Sequence, residues 1–306
     1  MTEQPTRQLA KIITDSKSPH GVRLTTMEIV LPRIVLAEFN THRQFSRNSA
    51  SSRAIPIEKM LARVIDDPYM PEQWDRNGAG MQGHGPLEAG DAREADEVWQ
   101  RASEDMLDHA RRLHDLGVHK QWANRLLEPF LWHTVIVTAT EWSNFFNLRC
   151  HPAAHPAIRN TAEAMHAAMQ ASTPTRLEFG QWHLPFVDER DTGLSTRDKI
   201  KVSCARCARV SYLTHDGVRD PAEDIRLHDR LLSAGHMSPF EHVARPLQYR
   251  EAVVYTPPLA EIQLGETLGV SPQNPALTYC GNFRGWVQYR KTIAGEQDIL
   301  GSRGAQ

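Results

Sequence analysis

Residues 42–53 concentrate anion-binding chemistry. The string His42-Arg43-Gln44-Phe45-Ser46-Arg47-Asn48-Ser49-Ala50-Ser51-Ser52-Arg53 holds three arginines, one histidine and four serines. Guanidinium groups are forked donors matched to phosphate oxygens, and serine hydroxyls are adaptable donors at short range. Such a cluster suits a nucleotide phosphate; a solvated, Ser-rich basic loop is the alternative that composition leaves open. Ser51 has no general base beside it in sequence, which favours binding over nucleophilic attack.

Three further stretches set polar groups beside apolar ones. In the first, Asn124, Arg125 and Glu128 precede a segment in which Asn144, Asn147 and Arg149 punctuate Phe145, Phe146 and Leu148. Amides and a guanidinium beside aromatic rings can read the edge of a planar base and stack on it, or an interior arginine can satisfy backbone carbonyls. In the second, residues 235–242, Ser238 and Glu241 have capping-box spacing, which leaves His236 and His242 without a structural reason. In the third, Arg284 and Arg290 are interspersed with Phe283, Trp286 and Tyr289, a pattern that fits either ligand stacking or an edge strand with outward arginines.

Metal and nucleophile motifs are weak. His151 and His155 are four apart, but Pro152 and Pro156 interrupt the helix that would align them, so no metal site is expected. The cysteines are Cys150, Cys204, Cys207 and Cys280, with one Cys-x-x-Cys pair where a zinc ribbon needs two, and they read as reduced thiols. Arg149 beside Cys150 would lower that thiol's pKa. No P-loop, Rossmann or Gly-x-Ser-x-Gly signature is present.

The elements that must position these groups are legible in outline. The apolar run 27–39 predicts a buried strand, with the polar cluster emerging at its end, and Pro32 divides or bends the wider stretch 22–36. Residues 1–20 read as an arm or a short edge strand. Helices are expected over 57–65, 92–116 with Gly117 as the stop, from 120 until Pro129 breaks the pattern, 157–171 and 222–234. Residues 135–140 and 247–255 are β-rich. Residues 67–93 have turn chemistry and read as a long loop or lid, and the mixed charges of 188–199 read as a solvated connector.

The totals exclude several classes. A chain of 306 residues, 40% hydrophobic, buries a sizeable core, and its formal charge of −2 argues against a surface that coats nucleic acid. No apolar run approaches the about 20 residues that cross a bilayer, and the polar N-terminus lacks a signal-peptide core, so a cytoplasmic protein without membrane partners is expected.

Together these stretches resemble the flavin-dependent thymidylate synthases. That family's core motif is Arg-His-Arg, two variable positions, Ser, one variable, Asn-Glu, one variable, Ser, one variable, Arg-Tyr; here His42, Arg43, Ser46, Asn48, Ser51 and Arg53 match in register, and Thr41, Ser49 and Ala54 depart. Asn124 to Pro129 is similar to the family's Ala-Arg-x-x-Leu-Pro, and Asn144 to Arg149 to its Asn-Phe-x-x-Leu-Arg. The family's Ala-Arg-Val-Ser-Tyr and Gly-His-x-Ser-Pro-Phe-Glu-His precede the core motif, whereas here their counterparts, 208–212 and 235–242, follow it. The chain resembles a circular permutation, tolerable where termini lie close together at the surface.

The resemblance implies an α+β fold, a mixed or antiparallel sheet with packed helices, in one permuted catalytic domain. Its parts are a core-motif half (22–171), a connector (172–200) and a flavin-motif half (201–293). It implies a homotetramer with shared active sites, bound FAD, methylenetetrahydrofolate as carbon donor and NADPH as reductant. His42, Arg43, Asn48 and Asn144 would contact the flavin, with Ser211 and His242 lining its site. Ser51, Arg53 and Arg125 would hold the phosphate of a pyrimidine deoxynucleotide, with Arg149 facing its ring; Arg149 and Ser51 are the residues expected at the reacting nucleotide. Methylation of dUMP to dTMP is the first expectation, dCMP methylation or a hydroxymethylated product the second, and a nucleic-acid-binding module or a silent relative the rivals. Thr41 and Glu38 stand where the family has arginine and glutamine, and Arg284 or Arg290 is expected to replace the missing charge.

Overall fold

Strand β2 (Arg23–Pro32) is buried on both faces because both are covered. Its Met27, Ile29 and Leu31, with Val135, Val137 and Ala139 of a neighbouring strand, pack under Phe39, Phe45, Phe145, Ile158, Ala162 and Met165. On the opposite face Leu24 meets Phe283, Trp286 and Ala244 from the end of the chain. A computed structural model describes residues 7–210, 220–249, 251 and 274–296.

The sheet also contains β1 (Ala10–Lys17), β3 (Ser46–Ser49), β4 (Trp132–Ala139) and β5 (Thr175–Arg176), in the order β3-β4-β2-β1-β5. All neighbours are antiparallel except β1 and β5, so the sheet is mixed, as expected. Residues 1–20 thus supply an eight-residue strand between β2 and the two-residue β5.

The buried strand expected over 27–39 ends at Pro32, followed by a 3-10 turn and helix α1 (Leu36–Asn40). Proline has no N–H to extend a ladder, and its fixed φ suits a turn entrance. The polar cluster therefore follows a helix, and part of it, Ser46 to Ser49, is itself the edge strand β3.

Helix α2 (Ile57–Asp66) and the 27-residue α3 (Ala89–Asp115) enclose a second core with the short α4 (Lys120–Ala123) and the 3-10 segment Asn124–Phe130; Met60, Val64, Leu107, Ala110, Leu127 and Phe130 fill it. Pro129 lies inside that 3-10 segment, and Gly117, at φ +79°, takes the left-handed turn that ends α3. Helices α5 (Ser143–Arg149) and α6 (Pro156–Ala171) cover the sheet, α6 opening with Pro156 in its first turn and with His155 Nδ1 accepting from Ala157 N–H.

The connector is not simply solvated. Asp191, 2% exposed, pairs with Arg206 of α7 (Thr196–Arg209) at 2.6 Å, and Arg206 and Arg209 both reach Asp224 of α8 (Pro221–Ser233). Buried charges persist only when paired and hydrogen-bonded, which a mixed-charge run does not reveal in sequence. The chain then adds β6 (Ala244–Pro246), the hairpin of β7 (Tyr279–Cys280) and β8 (Phe283–Arg284), and β9 (Trp286–Gln288), which pairs with β6. Of the β-rich stretch 247–255, residues 247–249 and 251 are described and form no strand. Among the described residues no helix is long and apolar enough to cross a membrane.

Candidate functional site

The sheet edge at β3 organises the predicted residues. Upstream of it, Phe45 anchors the basic loop against Phe39, Trp142 and Phe145, with ring centroids 4.7 to 5.7 Å apart. Arg47 donates to the carbonyls of Phe39, Asn40 and His42, so one of the three loop arginines satisfies the open end of α1. Thr41, at the family's arginine position, turns its hydroxyl back to donate to Glu38 O at 2.6 Å.

His42 sits edge-on to Phe145 at 4.8 Å and accepts from Arg149 Nε, at the last turn of α5, across 3.0 Å. Burial, then the charges of Arg149 and Arg47, push its pKa down to about 4. The ring is neutral with its proton on Nδ1, since Nε2 is the acceptor.

Asn48 lies on β3 and is engaged twice: Nδ2 donates to Cys207 O at 2.7 Å, and Oδ1 accepts from Ser238 Oγ at 3.2 Å. This corrects the capping-box expectation. Residues Ser238–Glu241 form a 3-10 turn without a side-chain cap; Ser238 reaches Asn48, and Glu241 pairs with Arg290. Strand alternation sets Asn48 on the same face as Ser46, which stands opposite Thr138, and Thr138 Oγ1 bonds His242 Nδ1 at 2.8 Å. The predicted flavin residues are thus divided: Asn48 and His242 lie on the face covered by the chain's last third, and His42 lies beside the phenylalanine cluster with Arg149, the residue expected at the pyrimidine. Asn144 is exposed on α5. Ser211 lies outside the described residues.

The predicted phosphate residues gather beyond β3. Buried Asn124 donates to Ser52 O and Ile55 O, and Lys120 to Ala54 O, tying the loop that carries Ser51 and Arg53 to the turn that carries Arg125. Ser51, Arg53 and Arg125 are all exposed, and Arg125 makes a surface pair with Glu128. Arg43 and Arg53 have no ion-pair partner among the described residues.

Two expectations are corrected here, for the tail arginines and for Cys150, and the open choice for the tail aromatics is decided. Arg284 is bound by Glu141 and Ala276 O, and Arg290 by Glu241 and Glu296, so both tail charges are already neutralised and do not replace the missing arginine. Phe283 and Trp286 are core residues rather than stacking platforms. Cys150 has its pKa raised, first by burial and then by Glu163, opposite to the lowering expected from Arg149. Segment 67–88 folds back through an Asp75–Pro86 bridge over a cavity of about 690 Å³ walled by Tyr69, Trp74, Trp99 and Trp132, and none of the predicted site residues that are described lines it.

His183 was missed by motif reading. It is fully buried, bonding Thr26 Oγ1 and Ser16 Oγ at 2.8 Å each, and a histidine within an aromatic connector carries no sequence signal for that role.

Comparison with known proteins matches residues 7–175 to the family described as thymidylate synthase complementing protein. No curated protein matches. Among solved structures are two of PolB, a UMP/dUMP methylase from Streptomyces cacaoi. The one bound with 5-Br UMP is 16% identical, with a TM-score of 0.44, over 52% of this chain and 87% of that one. The one bound with 5-Br dUMP is 18% identical, with a TM-score of 0.44, over 52% and 88%.

Proposed function

The chain belongs to the thymidylate synthase complementing protein family, and from that membership we propose that it transfers a one-carbon unit to C5 of a pyrimidine deoxynucleotide, first of all dUMP, as a cytosolic homotetramer with a permuted catalytic domain. The observation that carries this reading is that separated motifs meet in the core-motif loop: Arg149 on His42 just before β3, and Ser238 on Asn48 within it. The residues fit a planar, anionic cofactor, because Arg43 lacks an ion-pair partner among the described residues and the buried His242 Nε2 has no hydrogen-bond partner. Bound FAD would supply hydride, with methylenetetrahydrofolate as carbon donor and NADPH as reductant.

The chain's own part is positioning and polarisation. Ser51, Arg53 and Arg125 hold the nucleotide phosphate; Arg149, oriented by His42, faces the pyrimidine ring; Arg43, Asn48, Asn144, Ser211 and His242 surround the flavin. The test is direct: purified protein takes up FAD and turns yellow, and incubation with the folate donor, NADPH and dUMP yields a product heavier by one CH2, a methyl in place of the C5 hydrogen. A colourless protein that rejects added FAD would defeat the reading.

One observation favours dCMP as a second reading. Glu38 lies one turn before His42, and its Oε2 is buried without a partner among the described residues. A carboxylate accepts from the exocyclic amine of cytosine, which uracil lacks. Weighing the products from dUMP and dCMP side by side separates the two.

A further inference from the structure

Five buried polar groups form one unbroken chain through the sheet. Ser16 Oγ bonds His183 Nδ1 at 2.8 Å, His183 Nε2 bonds Thr26 Oγ1 at 2.8 Å, Thr26 bonds Thr138 Oγ1 at 2.7 Å, and Thr138 bonds His242 Nδ1 at 2.8 Å. None of the five is more than 2% exposed. At the far end His242 Nε2 is buried with no partner.

The sheet register builds this chain. Thr26 and Thr138 stand directly opposite on β2 and β4. On β1 the register shifts between Ile12 and Thr14, so Ser16 pairs with Leu24 and shares the face of Thr26. Without that bulge the alternation would turn Ser16 to the other face.

Burial holds both imidazoles neutral, each with its pKa pushed down to about 3, so each ring carries one proton and each link one hydrogen. Two end-to-end polarities are then possible, besides mixed ones in which Thr26 or Thr138 accepts from both sides. In one, Ser16 donates to His183 Nδ1, His183 Nε2–H to Thr26, Thr26 to Thr138 and Thr138 to His242 Nδ1, leaving a single unpartnered group, His242 Nε2–H. In the reverse, His183 donates to Ser16. The Ser16 hydroxyl hydrogen then has no acceptor among the described side chains, and the His242 Nε2 lone pair is bare as well. Every arrangement leaves one buried hydrogen without an acceptor, but all except the first also leave the His242 Nε2 lone pair bare, so the first polarity, with one unpartnered group against two, wins.

We propose that this relay, starting at Ser16, fixes His242 as its Nε2–H tautomer, and that this N–H is the donor the site presents to an acceptor atom on the ring edge of bound flavin. The ligand's identity rests on the function proposed above; the tautomer does not. Ser16 and His183 are positioning residues: they never touch the ligand, yet they decide whether His242 donates or accepts. The relay also couples the N-terminal strand and the connector to the last third of the chain.

The experiment is 15N NMR of the full-length protein labelled at histidine, with the His242 signals assigned by their loss in His242→Gln. The expected wild-type spectrum has a protonated, pyrrole-like Nε2 and a bare, pyridine-like Nδ1. Ser16→Ala removes the starting donor, so the Nδ1–H tautomer of His242 gains population and FAD affinity falls about tenfold, the worth of one hydrogen bond; Ser16→Thr restores both. A bare Nε2 in the wild type, or an unchanged His242 tautomer in Ser16→Ala, overturns the proposal. Should Ser16→Ala fail to fold, the wild-type spectrum decides the polarity and Thr138→Val, which cuts the last link, takes its place. The predicted tautomer in a protein that rejects FAD would leave the relay standing and remove the flavin reading, so the two fail separately.

Discussion

Arg149 Nε donates to His42 Nε2 across 3.0 Å, joining residues 107 positions apart in the chain. The contact fixes His42 as a neutral Nδ1–H imidazole and orients the guanidinium that faces the proposed pyrimidine. Replacing Arg149 with leucine should raise the His42 pKa part of the way from about 4 toward 6.5, because burial, the largest cause, remains. Turnover should fall by about 10²-fold as a charged donor is lost. An NMR titration of His42 measures the first effect, and an unmoved pKa would show that the contact does not form in solution.

Arg53→Ala and Arg125→Ala should weaken binding of the nucleotide but not of the matching nucleoside. Each removes a charge-assisted contact to phosphate, a loss of about 10- to 100-fold in affinity. Both side chains are exposed and Arg125 forms only a surface pair with Glu128, so the unfolding midpoint should stay put. Calorimetric titration with dUMP and deoxyuridine checks this, and equal losses for both ligands would place these arginines away from the phosphate.

The Asp191, Arg206 and Asp224 cluster should matter to stability rather than to binding. Arg206→Met strands the buried carboxylate of Asp191 and leaves Asp224 with Arg209 alone, and the expected cost is about 3–5 kcal/mol, read from urea unfolding. A loss below about 1 kcal/mol would mean that the cluster is hydrated in solution.

Acid should destabilise the fold well above the carboxylate range. His133, His183 and His242 are held near 3 and His42 near 4, in every case chiefly by burial. Below pH 6.5 the unfolded chain binds protons that the folded chain refuses, so stability falls as pH falls, until each folded pKa is reached. Each fully buried histidine contributes a slope of about 1.4 kcal/mol per pH unit in that window. Urea midpoints that stay level from about pH 6.5 to 4.5 would contradict this.

The clustering of arginines and serines at residues 42–53 was legible because side-chain type is a local property, as were helices α2, α3, α6 and α8, whose apolar spacing repeats within a few turns. The end of the strand at Pro32, the engagement of Arg47 with the carbonyls of α1, and the loss of Ser238 and Glu241 to distant partners were not legible. Each depends on a neighbour supplied from elsewhere in the chain, and composition carries no record of which neighbour that will be.

By itself, then, the sequence determined the family the chain belongs to and where its arginines, serines and histidines cluster. Tertiary structure alone decided that Arg284 and Arg290 are consumed in ion pairs, that Cys150 is raised rather than lowered in pKa, and that His183 joins Ser16 to His242. Protonation and hydrogen-bond polarity follow from burial and strand register, and both are set only when distant segments pack.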